Sequence, residues 1–332
     1  MEAARWRIAP QGNGVLSMTT RVATVFGASG FLGRYVVGRL AREGWVIRAA
    51  VRHPRRAAFL KPLGDVGQIT PLRAPIQDAE RVGAAVEGAD AVVNLVGILF
   101  ERGRQTFKDV HAEGAANVAR AAEAAAVRDL VQVSAIGADL RAEAEYARSK
   151  GAAEMAVRSS FPQAVVLRPS IVFGPEDDFF NRFAAMARLS PALPLIGGGN
   201  TRFQPVFVGN VADAVVTALS DPSCRGQVYE LGGPQVYSFK ELMELLLRQI
   251  RRRRLLLPLP FALASLQGAV LEWLPTPPLT RDQVRLLKSD NVVAADALTL
   301  ADLGIEATHP ELILPTYLQR YCPGGRVSPL AA

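Results

Sequence analysis

Two cysteines, Cys224 and Cys322, and three histidines, His53, His111 and His309, are all that the 332 residues contain. A disulfide framework or a Cys/His zinc cluster needs more of these residues than the chain has, and so sparing a use of cysteine fits a reducing compartment. Aromatic residues are 7% of the chain, and no set of them interleaves with the basic residues as a nucleic-acid stacking platform requires. No apolar run reaches the roughly 18 residues of a spanning helix without proline or a polar interruption, which predicts a soluble or peripheral protein. The opening residues carry Arg5, Arg7 and Pro10 but no apolar centre, so they do not read as a secretory signal. Residues 1–19 are expected to form a disordered tail.

What remains is ordinary globular material, 49% hydrophobic and 21% charged, which excludes disorder for most of the chain. The net charge is +7, from 38 Lys and Arg against 31 Asp and Glu. Basic residues are spread along the chain apart from one dense run, Arg251, Arg252, Arg253 and Arg254. Attraction to a membrane surface or an anionic cofactor explains this excess as well as nucleic acid does.

From residue 21 the pattern turns regular. An apolar run over 22–26 predicts a buried strand, three glycines follow at Gly27, Gly30 and Gly33, a helix is expected over 34–43, and a second strand over 46–51. Such a unit of about 30 residues is the span of a right-handed parallel crossover. Strands are expected again over 91–96, 130–133 and 164–167, with helices over 110–126 and 146–159. Short apolar strands separated by amphipathic helices predict an α/β fold, a Rossmann-type doubly wound parallel sheet covered on both faces. Beyond Arg168 the pattern breaks into Pro- and Gly-rich connections, predicting a smaller C-terminal lobe over the carboxyl edge of the sheet, where ligands bind. The expected division is an NAD(P)-binding core over 20–170 and a lobe over 171–332, partly interleaved with the core. Within the lobe, Ser238 with Glu241 three residues on reads as a capping box.

The three glycines allow a tight turn, close backbone approach to a pyrophosphate, and close packing of helix on strand. Ser29, Phe31 and Leu32 lie between them, and the helix amides beyond face the phosphate charge. The spacing alone is a weak signal. Directly after a buried strand it makes dinucleotide binding the expected chemistry. An NAD site would carry an acid at the end of the second strand for the ribose 2′-hydroxyl. Here Arg52, His53, Arg55 and Arg56 follow Val51, and Arg34 follows the third glycine. Guanidinium suits a phosphate dianion, so NADP(H) is the preferred cofactor. NAD(H) stays open if these arginines form only a solvated turn. Asp78 is a candidate beside the adenine.

Tyr146 and Lys150 are four positions apart, so on a helix they share a face. An ammonium beside a phenol is expected to lower its pKa from about 10 toward the working range, so that it can exchange a proton with a carbonyl or alcohol. The same lysine can hold a nicotinamide ribose, and Ser134, at the end of a strand, can steady a substrate oxygen.

These parts together resemble the short-chain dehydrogenase/reductase superfamily, in its extended and atypical epimerase-like branch. The resemblance rests on Gly27-x-x-Gly30-x-x-Gly33, the run from Val92 through Val96 to Gly97, Tyr146-x-x-x-Lys150, and Arg168-Pro169-Ser170, and it covers roughly residues 21–295. More specific are the runs 24–37 and 168–177, Gln204-Pro205-Val206, and Leu279-Thr280-Arg281-Asp282-Gln283-Val284, which are similar to the nucleotide-binding accessory subunits of respiratory complex I and their bacterial relatives. The resemblance implies firm, mainly structural binding of NADPH, with Val96, Gly97, Pro169 and Ser170 beside the nicotinamide. It also implies complex I subunits near the membrane arm as partners, and a peripheral place on the cytoplasmic face of a bacterial inner membrane. His111 stands where catalytic relatives often carry asparagine, and Ser134 is followed by Ala135-Ile136. These departures leave both positioning and true catalysis open for Tyr146 and Lys150. The other reading is a free-standing reductase or epimerase acting on a nucleotide sugar or a quinone-like lipid.

The four arginines run into the proline-broken apolar stretch 255–274. Guanidinium groups at lipid phosphates with leucines, Phe261 and Trp273 in the interface is one reading. Folding back as the lobe's core is the other. Glu176, Asp177 and Asp178 are expected in a solvated turn, Asp213 as an acid near a helix start, and the cysteines as unpaired thiols.

Overall fold

The computed structural model describes residues 21–324, and the tail expected over 1–19 lies outside the described residues. In chain order come β1 (Val22–Phe26), α1 (Phe31–Arg42), β2 (Val46–Val51), a 3-10 stretch (Pro54–Leu63), β3 (Ile69–Arg73), α2 (Ala79–Val86) and β4 (Ala91–Asn94). A π turn (Lys108–Glu113) then runs into α3 (Gly114–Ala124), followed by β5 (Asp129–Val133), α4 (Glu145–Ser160) and β6 (Val165–Pro169). The second half holds β7 (Val172–Phe173), α5 (Phe179–Leu189), β8 (Ala192–Ile196), β9 (Arg202–Phe203), β10 (Val206–Phe207), α6 (Val208–Ser220), β11 (Val228–Leu231) and β12 (Tyr237–Ser238). It ends with α7 (Phe239–Gln249), β13 (Leu255–Leu259), α8 (Phe261–Leu271), α9 (Arg281–Leu286) and α10 (Pro310–Leu318).

Seven strands form the main sheet in the order β11-β6-β5-β4-β1-β2-β3, with every pairing parallel. The order reverses between β1 and β4, the switch point at which such sheets open a crevice beyond their strand ends. Parallel strands are buried on both faces, which is why every residue of β4 and β5 is buried, Asn94, Asp129 and Gln132 included. On one face Val36, Val37 and Leu40 of α1, with Val211 and Val215 of α6, pack on Val25, Ile47 and Val131. On the other, Val82, Val118, Ala119 and Val157 from α2, α3 and α4 cover Phe26, Val92 and Leu130.

Two elements beyond residue 170 belong to this layer. β11 extends the sheet beside β6, and α6 packs on α1 with Asp213 paired to Arg39 at 2.6 Å. Arg168 of β6 bridges Glu154 of α4 at 2.6 Å and Glu230 of β11 at 3.5 Å, so charges separated in sequence close the same edge. The remaining lobe has its own core around Phe173, Phe180, Phe239 and Leu246.

Three expected boundaries shift for local reasons. α1 begins at Phe31, since Gly30 takes the extended conformation of a cap residue. β4 stops at Asn94 because the Asn94 side chain accepts the Val96 N–H, which a longer strand would use in its ladder. The helix expected over 110–126 opens instead with the π turn, and Ala126 adopts a φ of 51° that ends it.

Candidate functional site

The glycine turn at the head of α1 is built by exclusion. A Cβ on Gly33 would stand 2.3 Å from the Gly27 carbonyl oxygen and 2.5 Å from that of Ala28, so α1 rests directly on the turn. Gly27 has a φ of 78°, and a Cβ there would crowd Leu95 and Val96 across the switch point. Gly30 caps α1 without a side chain, leaving first-turn amides that suit an anion. Ser29 is half-buried in the turn, Leu32 packs on the sheet core, and the Phe31 ring lies against Gly174.

Arg34 projects from the first turn of α1. It pairs with Glu176 at 3.0 Å, its guanidinium lies 5.1 Å from the Phe59 ring centre, and its buried Nε has no partner among the described residues. Arg52, exposed just past β2, donates to Gln105 Oε1 at 3.1 Å. β1 and β2 run side by side in register, so both arginines belong to the same carboxyl edge. Asp78 is engaged elsewhere: it caps α2 by accepting the Arg81 N–H and pairs with the Arg81 guanidinium at 3.0 Å.

The second half of the crevice gathers on α4. Tyr146 lies in its first turn, with its ring edge-on to Phe107 and His111 at 6.0 and 5.5 Å between centroids. Lys150, one turn on, is buried with Nζ 5.9 Å from the Tyr146 ring centre and 3.4 Å from the Val133 carbonyl it donates to. A Cβ on Gly97 would come within 3.3 Å of that ammonium. Ser134 is buried beside the end of β5, and its Oγ has no hydrogen-bond partner among the described residues. Gly97, Lys150 and Tyr146 thus lie in one cluster.

The electrostatics differ from expectation. Burial pushes the Tyr146 phenol up to about 12, the opposite of the lowering expected from the neighbouring ammonium. Burial also lowers Lys150 to about 8, against the opposing charge of Glu154. His111 falls far below its usual range, first from burial and then from the Lys150 charge, so it is neutral. Its tautomer follows from its partners. The Ile98 N–H can only donate, so Nε2 accepts it at 2.9 Å and Nδ1 carries the proton toward Ser149 Oγ at 2.8 Å. Ser149 in turn donates to the Tyr146 carbonyl at 2.7 Å. His111 thereby stitches the loop after β4 to α4, a role the sequence did not reveal.

Pro169 ends β6 and Ser170 follows it. The Pro169 carbonyl accepts the Ile136 N–H, while the Ser170 hydroxyl donates to Asn291 Oδ1 at 2.7 Å and joins the sheet edge to the lobe. The 176–178 turn is not uniformly solvated. Asp177 is buried, receives the N–H groups of Gly174 and Asn181 and the Tyr317 hydroxyl, and is pushed up by burial. Asp282, which the sequence offers only within the run from Leu279 to Val284 and without a role, has one in the fold. Its carboxylate accepts the amides of Glu145 and Tyr146. The available signal was Ala144, a helix-start position with no side-chain acceptor of its own.

The basic stretch divides. Arg252 and Arg254 donate through Nε to the carbonyls of Tyr321 and Ala187, and with Arg248, Arg251 and Arg253 they line an open concavity of about 650 Å³. β13 pairs with β8, and Ala264 and Gly268 of α8 are buried. Yet Leu263, Leu266 and Val270 are exposed, and Trp273 is 90% exposed. Residues 255–274 are therefore neither wholly core nor wholly free. Cys224 and Cys322 are unpaired.

The residues present fit a dinucleotide. The uncapped α1 start, the close packing that Gly33 permits between α1 and the turn, the unpartnered Ser134 Oγ and the Tyr146/Lys150 face with Gly97 against it all lie at the carboxyl edge of the sheet, where it reverses its strand order.

Residues 23–232 match the NAD dependent epimerase/dehydratase family. Over 306 residues the chain is 38% identical to the mitochondrial NADH dehydrogenase (ubiquinone) 1 alpha subcomplex subunit 9 of Arabidopsis thaliana, covering 87% of this chain and 75% of that protein. The Mus musculus subunit of the same name is 35% identical over 322 residues, covering 95% and 84%. Among solved structures, an NADPH-dependent quinone oxidoreductase of Escherichia coli in complex with NADPH superposes with a TM-score of 0.68 over 89% of this chain and 98% of that one. At 22% identity that likeness is one of fold.

Proposed function

The chain belongs to the NAD-dependent epimerase/dehydratase family, and from that membership, with its kinship to the complex I subunits, we propose an NADP(H)-binding accessory or assembly-type subunit of NADH:quinone oxidoreductase that holds its nucleotide as a structural element. The observation that carries this reading is an α1 start with no side-chain cap, open to a pyrophosphate, together with the Tyr146/Lys150 face of α4. The first half of the crevice suits tight retention. In the second, burial pushes the Tyr146 phenol up from its ordinary value, which favours holding the nucleotide over donating a proton near neutral pH.

Gly27, Gly30 and Gly33 would admit the pyrophosphate to the α1 amides, and Arg34 and Arg52 would grip a 2′-phosphate, Arg34 by leaving Glu176. Tyr146 and Lys150 would hold the nicotinamide ribose, and Ser134 would face the same end. A bound nicotinamide supplies hydride chemistry. None of the described helices is long and apolar enough to cross a membrane. The arginine-lined concavity and the outer face of α8 support peripheral docking near anionic lipid, on the cytoplasmic face in a bacterium.

The test is purification from the native membrane. Co-migration with NADH:quinone oxidoreductase and a bound NADPH that survives gel filtration are the expected results. A protein that runs alone and oxidises NADPH with a carbonyl substrate, losing that activity in Tyr146→Phe, is instead a free-standing reductase or epimerase acting on a nucleotide sugar or quinone-like lipid. The retained Tyr146/Lys150 pair favours that second reading. Arg52→Ala should weaken NADPH roughly tenfold while sparing NADH. An unchanged NADPH/NADH ratio removes the argument for NADP(H) from that arginine.

A further inference from the structure

Helix α4 carries Tyr146 in its first turn, yet its cap position is Ala144, which offers no acceptor. The cap comes from 137 positions along the chain: Asp282 accepts the Glu145 N–H through Oδ1 at 2.7 Å and the Tyr146 N–H through Oδ2 at 2.9 Å. A carboxylate there satisfies two amides and opposes the positive end of the helix dipole. Asp282 is itself held. It sits in the first turn of α9, which Thr280 and Gln283 close with a capping box, and its side chain is 15% exposed. α9 is pressed on α8 so closely that a Cβ on Gly268 would stand 2.9 Å from the Arg281 nitrogen, and Glu272 binds both that nitrogen and the Arg281 guanidinium. Lys288 and Glu143 close the same junction at 2.9 Å.

We infer that Asp282 is the positioning residue for Tyr146: it fixes the backbone of the tyrosine from the lobe side, while His111 and Ser149 fix its carbonyl from the sheet side. The nicotinamide end of the crevice is then mechanically joined to the α8–α9 unit, whose outer leucines are exposed. This inference rests on the nucleotide-binding reading and deepens it by naming what holds the phenol in place.

The experiment uses the full chain and NADPH as the probe, with affinity read by nicotinamide fluorescence and amide exchange followed over 145–148. Asp282→Ala is expected to speed exchange of the Glu145 and Tyr146 amides and to weaken NADPH about fivefold. In a Tyr146→Phe background the same change should weaken it less than twofold, because the effect passes through the phenol. Asp282→Asn, which keeps one acceptor, should restore most of the affinity, and it carries the same cycle at about twofold if the alanine variant does not fold. Lys288→Met, which opens the junction without touching the cap, should leave affinity unchanged. Equal weakening in both backgrounds, or as large a loss in Lys288→Met, overturns the inference while the nucleotide reading stands. A wild-type protein that binds neither NADPH nor NADH removes the nucleotide reading itself, and this inference with it.

Discussion

At Lys150, burial and charge oppose each other within one side chain. Its pKa falls from 10.5 to about 8, so the folded protein releases this proton at a lower pH than the unfolded chain does. Above about pH 8 the unfolded state binds more protons at this site, so stability rises with pH until the unfolded lysine also titrates. Between about pH 7.5 and pH 9.5 the gain from this group is about 2 kcal/mol. Urea unfolding of the wild type and of Lys150→Met at both pH values checks it; the same pH slope in both proteins would show that the cost of burying Lys150 is misread. The spacing of Tyr146 and Lys150 is legible from sequence because it depends only on helix geometry. The acidity of the phenol is not legible, because it depends on the walls formed by Phe107 and His111, which come from a separate segment.

Among the elements, two helix starts show the contrast. α7 begins with its own capping box, Ser238 accepting the Glu241 N–H while the Glu241 side chain accepts the Ser238 N–H, and this was readable from four consecutive residues. Ser238→Ala should cost about 1 kcal/mol and lower the melting temperature by roughly 2–4 °C, with NADPH affinity unchanged because α7 packs in the lobe core. A thermal scan with and without NADPH checks both parts, and a shift in affinity would mean that α7 reaches the crevice. α4 starts on a borrowed carboxylate, which no local pattern discloses. The π turn ahead of α3 is similar: it brings His111 to the Ile98 amide through a wide turn that apolar spacing alone reads as plain helix.

For the whole molecule, the sheet closes only when β11 and α6 return from the second half, so the crevice and the lobe share one framework. The exposed row of Leu263, Leu266 and Val270 lies outside that framework. Leu266→Glu should therefore reduce co-sedimentation with anionic vesicles several-fold and leave NADPH affinity intact. Raising salt should weaken the remaining attachment, since each arginine near an anionic surface contributes about 1 kcal/mol that screening removes. Unaltered sedimentation in Leu266→Glu would exclude this face from lipid contact.

The sequence by itself determined the parallel sheet, the glycine turn, the arginines after β2 and the Tyr146/Lys150 face. Each depends on periodicity or on residue types a few positions apart, and local sterics and hydrophobic burial act over that range. Only the tertiary structure decided that Asp282 caps α4, that Asp177 is buried against Tyr317, that Glu176 holds Arg34, and that α8 is buried on one side alone. Those outcomes depend on desolvation and hydrogen-bond geometry between groups well over 100 positions apart, which exist only once the chain has folded.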